Sequence, residues 1–147
     1  MLTDKHLVVL AKLRCDARKS LASIGRETGI PTSTLFDYYQ ELKEEVILRH
    51  VAVPDFAKLG YPLRKRFFIR GDDRNALSSF LLEHRNVNVV SRIDHAHAFC
   101  EAFFKTQAEV ETFKEELKRL KPKEVKEYDV LEELKHEAFT PLAKLKH

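Results

Sequence analysis

Residues 21–35, LASIGRETGIPTSTL, spell a helix, a tight turn and a second helix. Ser20 precedes the first apolar position and suits an N-cap, its hydroxyl accepting an otherwise unpaired backbone N–H. Leu21 and Ile24 follow at i, i+3 spacing and form an apolar face. Gly29 stands where that helix should end, at a position that favours a left-handed residue without a Cβ. Ile30 can drop into the core of the turn, and Pro31 blocks continuation of the first helix. Leu35, Tyr39 and Leu42 then resume helical periodicity. Two short helices joined through a glycine turn form the helix-turn-helix, whose second helix can lie in a DNA major groove. The same pattern also suits an ordinary helical hairpin in another kind of domain.

On the N-terminal side, Asp4 to about Asp16 is predicted as a further helix, with Leu7, Val8, Leu10, Ala11 and Cys15 on its buried face. On the C-terminal side, the second helix of the pair is predicted from about Thr32 to Glu45. Val46–Val53 is β-branched and apolar apart from Arg49 and His50, which predicts a strand at the edge of a wing. Residues 1–53 therefore read as a winged helix-turn-helix domain. Pro54, Gly60 and Pro62 punctuate a linker over 54–63.

Residues 64–147 alternate element types. Arg66–Arg70 reads as a strand and Asp72–His84 as a helix with Leu77, Phe80 and Leu81 inward. Val87–Ile93 and Ala98–Phe104 read as strands around the turn Asp94–His97. Gln107–Leu120 is an amphipathic helix (Val110, Phe113, Leu117, Leu120), with Lys118, Arg119 and Lys121 at the negative end of its dipole and Pro122 ending it. Val125–Leu131 is a fourth strand, and Glu132–His147 reads either as helix or as an extra strand. The order βαββαβ is the ferredoxin-like unit, with both helices on one face of an antiparallel sheet, so the whole chain is α+β. The other face should then be polar. Phe67-Phe68-Ile69 and Phe103-Phe104 instead put apolar side chains on both faces, which calls for a second cover; a homodimer partner is the simplest.

Composition bounds the function classes. Hydrophobic residues make up 44% and charged residues 33%, as in a soluble globular protein with real cores. No apolar run approaches the ~20 residues that span a bilayer, and MLTDKHLVVL lacks the features of a signal peptide. Cys15 and Cys100 fall in different predicted domains and in apolar surroundings, so both read as reduced, buried thiols of a cytoplasmic protein. The net charge of +3 is too small to announce nucleic acid, but its distribution is uneven. Residues 1–53 carry eight Lys/Arg against seven acids, residues 54–70 five against Asp55 alone, and the remainder thirteen against fifteen. Basic charge is concentrated between the halves, where a segment passing near phosphates could use it.

Several motifs carry a resemblance over nearly the whole chain. They are Leu2-Thr3-Asp4 with the following VVLAKL, Asp16-Ala17-Arg18, the SLASIGRETGI helix and turn, Ser33-Thr34-Leu35, Leu42, and Lys58-Leu59-Gly60-Tyr61 before the second domain. In these the chain resembles the leucine-responsive/AsnC (Lrp/AsnC) transcription regulators. The resemblance implies a homodimer held by its sheets, often gathered into assemblies of dimers, whose N-terminal domains read double-stranded DNA under control of a small effector such as an amino acid. It makes Arg18, Lys19, Arg26, Lys43 and Arg49 candidates for phosphate contacts. Thr32, Ser33, Thr34, Phe36, Asp37, Tyr38 and Gln40 would face the groove.

Three departures stand against that pattern. Many relatives have a recognition helix rich in Arg or Lys, whereas Phe36, Asp37, Tyr38, Gln40 and Glu41 bring two acids and no base here. Phosphate neutralisation supplies much of protein–DNA affinity, so weaker DNA binding is expected. Relatives that sense amino acids carry a Thr-Gly turn between the middle strands, but this chain has no glycine after Gly71 and reads Ile93-Asp94-His95-Ala96-His97 there. The glycine that usually precedes the wing is also absent, and Glu45-Val46 stands in its place.

Asp94, His95 and His97 could mark an effector or metal site, but two histidines and one acid fall short of the usual ligand number without a partner's help. A solvated hairpin turn is the plainer reading. No nucleophile–base pair or phosphate-cradling glycine loop stands out, so neither an enzyme nor a cofactor is expected. The sirohaem decarboxylases, a related branch, have a tryptophan-containing strand motif, and this chain contains no Trp. The alternative to a DNA-binding regulator is a protein-interaction module of the same fold that has lost operator binding, suggested by the acidic and aromatic stretch Phe36–Glu41.

Overall fold

Three helices build the first of two units in this computed structural model, which describes residues 1–141. The first unit is Met1–Ala52 together with the described residues from Leu134 on; the second is Val53–Glu133. Helix α1 spans Asp4–Cys15, α2 Leu21–Thr28 and α3 Thr32–Glu45. Val9, Leu13, Ile24, Leu35 and Leu42 form the buried core, with Leu21, Ile30, Tyr38 and Tyr39 packed around it.

The punctuation between α2 and α3 is as expected. Ser20 Oγ accepts the Ser23 N–H at 3.1 Å, and Gly29 is left-handed at φ +73°. The α1 helix buries a different face from the expected one. His6, Val9 and Leu13 point inward, while Leu7, Val8, Leu10 and Ala11 are only partly covered and Cys15 is exposed. Residues 7–11 are apolar all round the helix, so periodicity does not set its rotation, and Cys15 lies at the last helical position, beyond the core.

The strand expected over Val46–Val53 is absent. The Val46 and Ile47 N–H groups both donate to Leu42 O, at 2.9 and 2.7 Å, and the following Leu48, Val51 and Val53 are exposed. β-branched residues favour a pleated surface only where a neighbouring strand satisfies their backbone groups, and no strand pairs with this segment among the described residues.

The second unit runs β1 (Leu63–Arg70), α4 (Arg74–Glu83), β2 (Val87–Ile93), β3 (His97–Phe104), α5 (Gln107–Lys118) and β4 (Glu124–Asp129). The sheet is antiparallel in the order β2-β3-β1-β4. Strand alternation puts Phe67, Ile69, Cys100, Ala102 and Phe104 into one core with Leu77, Leu81, Val110, Phe113 and Leu117 of the helices. Phe113 anchors it, 5.0 Å from Phe67 and 5.5 Å from Phe104 between ring centroids. Asp73 and Thr106 cap the two helices by accepting the Ala76 and Glu109 N–H groups. Burial pushes the Cys100 thiol up to about 12, so it acts as an inert core residue.

The opposite sheet face centres on Phe68, whose ring lies 5.2 Å from Phe99 and 5.9 Å from Tyr128. Beside them Glu101 is 5% exposed and accepts from Arg64 and Arg66 at 2.8 and 2.9 Å. Burial opposes its charge, but the Arg66 and Arg64 hydrogen bonds outweigh that and hold the carboxyl below its ordinary value. The expected helix or strand over Glu132–His147 is found in neither form over residues 132–141; its remainder, 142–147, lies outside the described residues.

Candidate nucleic-acid interface

The α2–α3 pair is held tight by a glycine that periodicity does not reveal. A Cβ on Gly25 would lie 3.1 Å from Ile30 O and 3.4 Å from Leu35 Cδ1, so the small residue lets the turn close against α2. The outer side of α3 then carries Thr32, Ser33, Phe36 and Asp37, all exposed, with Phe36 at 51%. Ser33, Phe36, Asp37 and Gln40 recur at i, i+3, i+4 and i+7, one face of a helix. Thr34 and Gln40 are half-buried at its margins.

Tyr38 is set apart from that face. Its ring is half-buried and lies 4.3 Å from the His6 ring, packed against the core. His6, 3% exposed, accepts the Thr3 N–H on Nδ1 at 3.0 Å, which leaves its Nε2 proton facing Glu41 Oε2 at 2.7 Å. One of the two acids in the Phe36–Glu41 stretch is therefore tied to α1. Sequence reading missed this link because its partners lie 35 residues apart; the only local signal is a Thr-x-x-His spacing at a helix start, where Glu or Gln is usual.

Among the five phosphate candidates, Lys19 is engaged: Glu27 takes Lys19 Nζ at 2.6 Å and Lys12 Nζ at 2.9 Å. Hydrogen bonds from Lys19 and then Lys12 lower the Glu27 carboxyl to about 2. Arg18, Arg26, Lys43 and Arg49 are exposed and form no ion pair among the described residues. The Arg18 N–H donates to Asp16 Oδ1 at 2.9 Å, closing the turn that leads into α2.

The turn between β2 and β3 is organised by Asp94. Its backbone is left-handed at φ +47°, a conformation Asp tolerates better than most side-chain-bearing residues. Asp94 Oδ1 accepts the Ala96 and His97 N–H groups at 2.7 and 3.1 Å and lies 3.1 Å from His97 Nδ1. The Ala96 N–H first, then the His97 ring, keep the Asp94 carboxyl below its ordinary value. His95 is exposed and takes no part. No group of three His, Cys, Asp or Glu side chains is placed to hold a metal ion among the described residues. None of the helices among them is long and apolar enough to cross a membrane.

No protein-family model matches this sequence, and no curated protein matches it in sequence. Solved structures do match in fold. A transcriptional regulator from Neisseria meningitidis in complex with L-Met superposes with a TM-score of 0.86 at 14% identity, over 97% of this chain and 98% of its own. B. subtilis LrpC gives 0.82 at 17% identity, over 92% and 98%. An AsnC family transcriptional regulator from Agrobacterium tumefaciens gives 0.83 at 19% identity, over 96% and 97%. The chain thus has the α+β fold of the Lrp/AsnC regulators over nearly its whole length, with a four-stranded antiparallel sheet and five helices among the described residues.

Proposed function

We propose that this chain is a DNA-binding transcription regulator, acting as a homodimer in the cytoplasm. The observation that carries the reading is the outer face of α3: Ser33, Phe36 and Asp37 are solvent-exposed and Arg18, Arg26, Lys43 and Arg49 lack an ion-pair partner among the described residues. In a helix-turn-helix, cations around the second helix seat the duplex through its phosphates. Polar and apolar side chains on that helix read base edges and thymine methyls. The fold shared with two proteins described as transcriptional regulators supports a regulatory role rather than an enzymatic one. The second unit is a ferredoxin-like domain, and its Phe68–Phe99–Tyr128 face is the surface on which a second copy packs.

With Lys19 held by Glu27 and no wing strand paired among the described residues, few cations remain for phosphate, so affinity falls gently with salt. Fluorescence anisotropy on labelled duplexes of varied sequence tests the proposal. Arg26→Ala is expected to weaken all sequences about equally, whereas Ser33→Ala or Gln40→Ala shifts preference by roughly 1–3 kcal/mol for a good base contact. Failure of the unmodified protein to bind any duplex at low salt would overturn it in favour of a protein-interaction role.

A further inference from the structure

The second unit contains a cavity that the proposed DNA contacts do not use. It has a volume of about 370 Å³, within the range of small-molecule sites. Its walls come from the turn at residues 56–61, the α4–β2 connection, the end of β3 and the start of α5. Phe56 and Phe103 pack ring to ring at 4.3 Å and, with Tyr61, give it an aromatic floor. Arg85 and Lys105 stand at its sides and form no ion pair among the described residues; the Lys105 ammonium lies 5.1 Å over the Tyr61 ring.

The cavity's one acid is already occupied. Glu109 Oε2 accepts the Lys105 N–H at 2.8 Å while its own N–H donates to Thr106 Oγ1, so it serves the start of α5. The Asn86 amide is likewise held, donating to Phe103 O at 2.8 Å. What remains free toward the cavity is an apolar, largely aromatic surface with Leu59 at its edge, beside two cations and the uncharged Asn88 amide. That combination selects an apolar body carrying one negative charge: the rings cover the body and the cations meet the charge. The β2–β3 turn lies at the other ends of these two strands, so this cavity is separate from the Asp94 turn.

We propose that this cavity binds a small monocarboxylate with an aromatic or branched apolar body. The inference does not rest on DNA binding, and its test contains no DNA. The full chain, labelled with ¹⁵N, is titrated with phenylacetate, and separately with benzyl alcohol and phenethylamine, which keep the ring but carry no charge or the opposite one. Phenylacetate is expected to shift the amide signals of Asn86, Val87, Phe103 and Lys105 saturably, and to bind at least tenfold more tightly than either comparator. Arg85→Ala with Lys105→Ala should weaken it at least tenfold; both side chains are exposed, so the rest of the spectrum should be preserved. Equal binding of the alcohol or the amine, saturation unaffected by the double variant, or no saturable shift up to 10 mM (roughly the weakest binding that leaves a useful free energy) would each overturn the proposal.

Discussion

Gly29 sits at φ +73° with nothing within 4 Å of a Cβ placed on it, so any cost of a side chain there is conformational. Gly29→Ala is expected to lower stability by about 1 kcal/mol, the left-handed penalty being partly offset by a less flexible unfolded chain. Thermal melting of the two proteins checks this, and equal midpoints would contradict it. Ser20, Gly29 and Pro31 were legible because each acts on its immediate backbone. Glu27 was not, because Lys19 reaches it from the turn before α2 and Lys12 from α1, spacings that helical periodicity does not mark. Its carboxyl pKa is depressed to about 2 in the folded chain, against 4.5 for the free group. The stabilisation from this triad is therefore present above 4.5 and is lost as the pH falls through about 2. A carboxyl ¹³C titration should find Glu27 near 2, and Lys19→Ala should raise its midpoint; an ordinary midpoint in the unmodified protein would show that the triad does not form in solution.

Helix α1 shows where periodicity stops informing. Residues 7–11 are apolar on every side, and the face that is buried contains His6, whose place is settled by Thr3 at one ring nitrogen and Glu41 at the other. The segment Val46–Val53 shows the converse: strand-like composition without a strand to pair with. The α4, β2, β3 and α5 segments were readable because the apolar spacing of Leu77, Phe80 and Leu81 and of Val110, Phe113 and Leu117 is helical, while the β-branched and aromatic runs at 87–93 and 98–104 suit strands. The β2–β3 turn carries a prediction of its own. In this chain the turn holds Asp94 in a left-handed conformation with its carboxylate folded over the Ala96 and His97 N–H groups. A side chain and a negative charge stand where a glycine turn would leave room, so amino acids are expected not to bind there. Calorimetric titration with the twenty amino acids should give no heat that vanishes on replacing residues 93–97. Saturable binding that those replacements abolish would mean that an amino-acid site survives at this turn.

The two units differ in what the chain leaves uncovered. In the second, Phe68, Phe99 and Tyr128 form an aromatic patch on the sheet face away from the helices, which is the pattern Phe67-Phe68-Ile69 implied from sequence. A second copy seated there should bury well over ~1,000 Å². Sedimentation at micromolar concentration is expected to give twice the chain mass of 17.1 kDa, and Phe68→Glu to shift the protein toward monomer; a monomer throughout would contradict the proposed homodimer. In the first unit, what is uncovered is the Ser33–Phe36–Asp37 side of α3, together with the exposed Arg18, Arg26, Lys43 and Arg49. Under the proposed function, which of those side chains would meet a base is not legible, because groove contacts depend on a duplex whose sequence the chain does not encode. Selection of binding sites from a random duplex pool, at 50 mM and about 150 mM salt, tests the central claim most directly. An enriched, two-fold related motif at both concentrations, with only a shallow loss of affinity between them, is the expected result. A pool that stays unenriched, with binding gone at the higher salt, would contradict it.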